Sequence, residues 1–205
     1  MKKDINYHLY LVTDAPEKCR YGLLETVRRA VQGGVTVVQY RSGETDRSKM
    51  LAEVLPLQEY LRSVGVPLII NNDVALAVEI GADGVHVGQG DMPVAEARQL
   101  IGPDKVLGLS VTNAAEMAAV DTALVDYVGV GPVFPTQTKP DAAQDLGMQG
   151  WLEVAGCAPL PVVAIGGLDR VRTDAVRATG LAAGVAVVSY ICAAEDPAQA
   201  ARELL

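Results

Sequence analysis

The feature that most constrains this chain is the repeated alternation of a short β-rich run with a longer helical stretch. The runs are LYLVT (9–13), VTVVQYR (35–41), PLIIN (67–71) and GVHVG (84–88), then VLGLSV (106–111), DYVGVG (126–131), PVVAIG (161–166) and AGVAVVS (183–189). Helical patterning fills the intervals, at about 22–33, 47–63, 74–80, 93–101, 114–122, 148–156, 170–179 and 196–204. Such alternation favours a parallel sheet, because each helix returns the chain to the end from which it started. Eight units of this kind predict an α/β fold, a single-domain (β/α)₈ TIM barrel over residues 1–205. An open doubly wound sheet is the alternative topology.

The punctuation agrees. QGGV (32–35), EIGADGV (79–85) and ATGLAAGV (178–185) each set Gly where a helix closes and the next strand begins. Gly takes the left-handed backbone there at least cost. Half of the 205 residues are hydrophobic, rich in Val, Ala, Leu and Gly, with one Trp and one Phe. That composition suits buried parallel strands beneath Ala-rich helices, whose outer faces permit a homo-oligomer. No linker or low-complexity stretch divides the chain.

A net charge of −8 argues against a nucleic-acid surface, which needs clustered Lys and Arg. Any anion must be met by a small local group of donors. Cys19, Cys157 and Cys192 are odd in number and lack metal-ligand spacing, which predicts free thiols in a reducing compartment. The opening MKKDINYHLYLVTD has only the five-residue β-rich run LYLVT, too short for a secretion signal or a membrane span. The expectation is a cytoplasmic protein with no membrane partner.

In barrels of this kind the chemistry sits at the carboxyl ends of the strands. The polar residues just after each run are Thr13 and Asp14, Gln39 and Arg41, Asn71 to Asp73, and Gln89 and Asp91. On the later strands they are Ser110 and Thr112, Thr136, Thr138 and Lys139, the Gly166–Gly167 pair, and Ser189. Two hydroxyls and an ammonium within 136–139, on a loop with three prolines, read as donors for an anion. Asp73 and Asp91 follow neighbouring strands and suit Mg²⁺, which takes few protein ligands and keeps waters and substrate phosphates as the rest. Alternatively, Asp73 caps the helix opening at Val74 and Asp91 forms a turn before Pro93. The Arg41 fork suits a phosphate, or else an ion pair with Glu44 or Asp46. Gln39 shares its face, either entering the mouth or filling an upper core layer. His86 lies inside its strand, as a core or outward-facing residue rather than a catalytic one. No nucleophile–base pair is visible, so covalent catalysis is disfavoured.

Taken together, VQYR (38–41), NND (71–73), GADGVHVGQGDMP (81–93), LGLSV (107–111), DYVGVGPVFPTQTK (126–139), VVAIGGL (162–168) and GVAVVS (184–189) resemble the thiamin phosphate synthase family from first strand to last helix. The resemblance implies a transferase that joins 4-amino-5-hydroxymethyl-2-methylpyrimidine diphosphate to 4-methyl-5-(2-phosphoethyl)thiazole, releasing pyrophosphate. It implies a pyrimidine-diphosphate strand spanning Gln39, Tyr40, Arg41, Ser42 and Gly43, with Asn72 beside it. Asp73 and Asp91 correspond to Mg²⁺ ligands, and Ser110 and Lys139 to pyrophosphate contacts. Thr136, Gln137, Thr138, Gly167, Val188 and Ser189 fall at the thiazole-phosphate site. On this reading Arg41, Ser110 and Lys139 are catalytic.

One departure stands out. The family pattern is Gln-x-Arg-Glu-Lys, whereas this chain reads Gln39-Tyr40-Arg41-Ser42-Gly43. Loss of one charge-assisted bond, about 1.5–3 kcal/mol, weakens diphosphate binding unless another cation such as Arg47 compensates. Two other readings stand beside the synthase. A related thiazole tautomerase carries a histidine where this chain has Thr112, and a weakened thiamin-precursor binding or regulatory protein would bind without turnover.

Overall fold

The computed structural model describes residues 5–136, 138 and 144–205. At its centre is a closed barrel whose strands pair in sequence order. They are β1 (Leu9–Val12), β2 (Val37–Tyr40), β3 (Leu68–Asn71), β4 (Gly84–Val87), β5 (Val106–Val111), β6 (Tyr127–Val130), β7 (Val162–Ile165) and β8 (Gly184–Val187). β8 closes on β1 in parallel, with Leu9, Tyr10 and Leu11 opposite Val185, Ala186 and Val187. Closure excludes the open doubly wound sheet, which would leave two edges.

Around it run α1 (Leu23–Gln32), α2 (Arg47–Val64), α3 (Val74–Ile80), α4 (Val94–Ile101), α5 (Ala114–Ala118), α6 (Gly147–Ala155), α7 (Arg170–Ala178), α8 (Ser189–Cys192) and α9 (Pro197–Arg202). Their starts follow capping chemistry. Asp46, Asp73, Asn113, Asp169 and Asp196 each accept a backbone N–H from the first turn of the helix they open. Two elements depart from expectation. α5 stops at Ala118 rather than 122, because the chain turns at Asp121, whose carboxylate accepts from the Ala123 N–H. The last strand ends at Val187, and Ser189 instead opens the short α8.

Period-two alternation sends each strand's side chains to two cores. Leu9, Leu11, Val38, Tyr40, Leu68, Ile70, Val85 and Val87 face outward to the helices. Tyr10, Val12, Val37, Ile69, Val106, Tyr127, Val163 and Ala186 fill the barrel. Two glycines decide what fits there. A Cβ at Gly108 would lie 2.3 Å from Tyr127 Cζ and 2.4 Å from His86 Nδ1, and one at Gly129 would lie 3.1 Å from His86 Cε1. These positions stay bare so that an imidazole and a phenol can occupy the interior.

The amino-terminal end is clamped by Arg98 of α4. Its guanidinium donates to the carbonyls of Leu124, Gly102 and Lys105 and to Asp126 Oδ2 at 2.7 Å. Asp126 Oδ2 also accepts from the Leu107 N–H at 2.8 Å. Barrels keep stability at this end and chemistry at the other.

Candidate active site

The carboxyl ends of the strands surround a cavity of about 440 Å³, within the range of small-molecule sites. Among its lining residues are Gln39, Arg41, Ser42, Asn72, Asp91, Ser110, Thr136, Thr138, Gly167, Val188 and Ser189. The ends of β1 and β2 are fixed to each other: the Arg41 N–H donates to Thr13 Oγ1 at 3.0 Å, and that hydroxyl donates to the Arg41 carbonyl at 3.2 Å. The acids weighed as partners for Arg41 are engaged elsewhere. Glu44 accepts from the N–H groups of Asp46 and Thr45 and pairs with Lys49, which together hold its carboxyl below the ordinary range. Asp46 accepts from the Ser48 N–H and hydroxyl.

Beneath the mouth runs a continuous chain of hydrogen bonds. Gln39 Nε2 donates to the Tyr10 hydroxyl at 2.9 Å, and that hydroxyl lies 2.9 Å from the Tyr127 hydroxyl. The Tyr127 hydroxyl lies 2.9 Å from His86 Nδ1, and His86 Nε2 lies 2.9 Å from Ser110 Oγ. Burial raises the phenol pKa of Tyr10, outweighing the bonds from Tyr127 and Gln39, and burial, with Tyr10 beside it, also holds that of Tyr127 well above the ordinary value. Both stay protonated at neutral pH.

The two candidate metal carboxylates are held differently. Asp91 accepts from Asn72 Nδ2 at 3.1 Å and from the Gly88 N–H at 2.7 Å, exposed at the mouth. Asn72 takes the left-handed backbone (φ 62°), which turns its amide toward Asp91. Asp73 caps α3 through the Leu76 N–H at 2.8 Å and receives a two-point bond from Arg47, at 2.9 and 3.3 Å. Asp73 is thus the cap that its position before Val74 allows, and Arg47 is bound to it rather than standing as an uncommitted cation. Among the described residues no group of three or more His, Cys, Asp and Glu stands ready for a metal.

The loops after β6 and β7 interlock. The Val133 and Phe134 N–H groups donate to the Ile165 and Gly166 carbonyls at 2.9 and 3.1 Å. A Cβ at Gly166 would meet Pro132 Cα at 2.5 Å, and one at Gly167 would meet the Pro135 carbonyl oxygen at 2.5 Å. Arg172 donates to the Gly167 carbonyl at 2.7 Å and lies over the Phe134 ring. The glycine pair therefore admits a neighbouring loop.

The thiamine monophosphate synthase family matches residues 9–191. The chain is similar to the thiamine-phosphate synthase of Xanthobacter autotrophicus, 49% identical over 205 residues, covering 100% of this chain and 96% of that one. It is likewise similar to that of Desulfitobacterium hafniense, 44% identical over 201 residues and covering 98% and 97%. The solved thiamine phosphate pyrophosphorylase of Pyrococcus furiosus superposes with a TM-score of 0.86 at 32% identity, covering 97% of this chain and 94% of that one. The chain belongs to the thiamine monophosphate synthase family. It is an enzyme, a transferase of thiamine biosynthesis.

Against the residues expected for that family, the barrel assembles most of the set at one mouth. The Tyr40 side chain faces outward, its hydroxyl donating to Glu53 of α2 at 2.7 Å, because it alternates with the inward Gln39 and Arg41. Gly43 is exposed and a Cβ there meets nothing within 4 Å. Gln137 and Lys139 lie outside the described residues. His86 faces inward and lines the cavity, so its outward-facing alternative falls. Sequence reading missed Tyr10 and Tyr127, which also line the cavity. Their signal was the inward register of both tyrosines, together with Gly108 and Gly129 on adjoining strands.

Proposed function

We propose that the chain condenses 4-amino-5-hydroxymethyl-2-methylpyrimidine diphosphate with 4-methyl-5-(2-phosphoethyl)thiazole, giving thiamin phosphate and pyrophosphate. The observation that carries this reading is the meeting of Arg41, Asn72, Ser110, Thr136, Thr138 and Ser189 around one cavity, donors suited to two phosphorylated ligands. The amino group of the pyrimidine stabilises a cation at its methylene, so the C–O bond to the diphosphate breaks with both electrons leaving on oxygen. The thiazole nitrogen then gives its lone pair to that carbon. No protein base or nucleophile is required. The chain's tasks are to hold the rings together and to stabilise charge growing on the leaving group. Arg41, Ser110 and Lys139 serve the leaving group, with Gln39 and Asn72 on the pyrimidine side. Thr136, Thr138, Gly167, Val188 and Ser189 serve the thiazole phosphate.

Mg²⁺ fits the donor set. The exposed Asp91 carboxylate with Asn72 beside it, and Asp73 next in sequence, offer the one or two carboxylates this ion takes alongside substrate phosphates. When bound, the ion supplies charge neutralisation to the diphosphate. Asp73 already accepts twice from Arg47 and once from the Leu76 N–H, which leaves its carboxylate about one lone-pair site for the ion. Thiazole rearrangement by a base after β5 is disfavoured, since the Thr112 hydroxyl and N–H are both bonded to Glu116.

The test is product formation. Pure protein is incubated with both substrates, with Mg²⁺ or with EDTA, and thiamin phosphate and pyrophosphate are followed by chromatography. Equal amounts of both, in the Mg²⁺ arm alone, are expected. Binding of both substrates with no product would overturn the reading in favour of a binding protein.

A further inference from the structure

The hydrogen-bond chain beneath the cavity has a direction, because each hydroxyl owns one proton. Tyr10 accepts from the Gln39 amide and so spends its proton on Tyr127. Tyr127, having accepted, spends its own proton on His86 Nδ1. A neutral ring that accepts at Nδ1 carries its hydrogen on Nε2 and donates it to Ser110 Oγ. The Ser110 hydroxyl proton then has no call from below and is left for the cavity. An imidazolium breaks this order: its Nδ1–H would need Tyr127 as acceptor, orphaning a buried phenol proton. Reversal of the Gln39 amide breaks it in the opposite sense, turning Ser110 into a donor toward His86 and an acceptor toward the cavity. An anionic ligand requires the first direction.

We propose that His86 is a positioning residue, held by the Gln39–Tyr10–Tyr127 relay as the neutral Nε2–H tautomer, which turns the Ser110 hydroxyl proton toward the diphosphate leaving group. This rests on the pyrophosphate role given to Ser110 above. The barrel supplies five different strands to the relay and leaves Gly108 and Gly129 without side chains to make room for it.

The experiment has a spectroscopic arm and a kinetic arm. Protein labelled with ¹⁵N-histidine, in which the exposed His8 is replaced (His8→Gln), leaves the His86 ring alone to be read by long-range ¹H–¹⁵N correlation. A protonated Nε2 and a bare Nδ1 are expected; a protonated Nδ1, alone or together with Nε2, overturns the proposal. In the kinetic arm, Tyr127→Phe is expected to lower kcat about tenfold, the worth of one hydrogen bond, with the thiazole phosphate KM unmoved. The same change in a Ser110→Ala background is expected to cost nothing further, since its effect passes through the serine hydroxyl. Equal losses in both backgrounds overturn the proposal, and Tyr10→Phe provides a second entry to the relay should Tyr127→Phe not fold. Full turnover in Ser110→Ala removes the leaving-group role itself. The wrong tautomer with an impaired Ser110→Ala removes the relay alone.

Discussion

Gly43 stands where the family resemblance leads one to expect a lysine, and the surroundings make that expectation testable. A Cβ there meets nothing within 4 Å, and Arg47 is committed to Asp73 by two bonds. Gly43→Lys is therefore expected to leave the melting temperature unchanged and to lower the KM for the diphosphate by about tenfold, the worth of one charge-assisted bond. Steady-state kinetics on the two proteins decide it; an unmoved KM means that no cation is used at that point. At this scale the sequence was partly legible. Arg41 and Gln39 could be assigned to one face because strand side chains alternate. The partners of His86 could not, because alternation says which residues face inward but not which inward atoms touch across the barrel.

Among the elements, α3 carries the sharpest double duty. Asp73 caps it at the Leu76 N–H, binds Arg47, and stands as a proposed Mg²⁺ ligand. Substitution separates these roles. Asp73→Ala is expected to lose about 1 kcal/mol with the cap, whereas Asp73→Asn keeps the cap and its stability. Both are expected to raise the Mg²⁺ concentration needed for half-maximal turnover. Thermal melts alongside Mg²⁺ titrations check this, and an Asp73→Asn enzyme with unaltered Mg²⁺ demand would leave Asp73 a cap only. The helix starts at Arg47, Val74, Ala114 and Arg170 fall where the helical patterning places them, each behind an Asp or Asn cap. α8, from Ser189 to Cys192, was not, since four residues make no periodic pattern and continue a β-rich run.

For the whole molecule, the buried phenols set an alkaline limit. Tyr10 and Tyr127 are each 1% exposed, and burial raises the pKa of both. A phenol whose ionisation is postponed by folding contributes stability that is fully present below its unfolded value, about 10. That contribution is lost as pH rises past this value toward the folded one. Urea melts from pH 8 to 11 are expected to show falling stability above about pH 10. Tyrosinate absorbance should show these two, together with the buried Tyr40, ionising only as the barrel opens. Ionisation of Tyr10 or Tyr127 in the folded protein would contradict the buried relay.

The mooring of the β6 loop on Gly166 and Gly167 has a consequence for how such a chain can change over time. Any side chain at 166 or 167 collides with Pro132, Phe134 or Pro135, so substitutions on either loop are admissible only in company with changes on the other. The two loops are thereby a single heritable unit, and a change at their contact has to be acquired by both together.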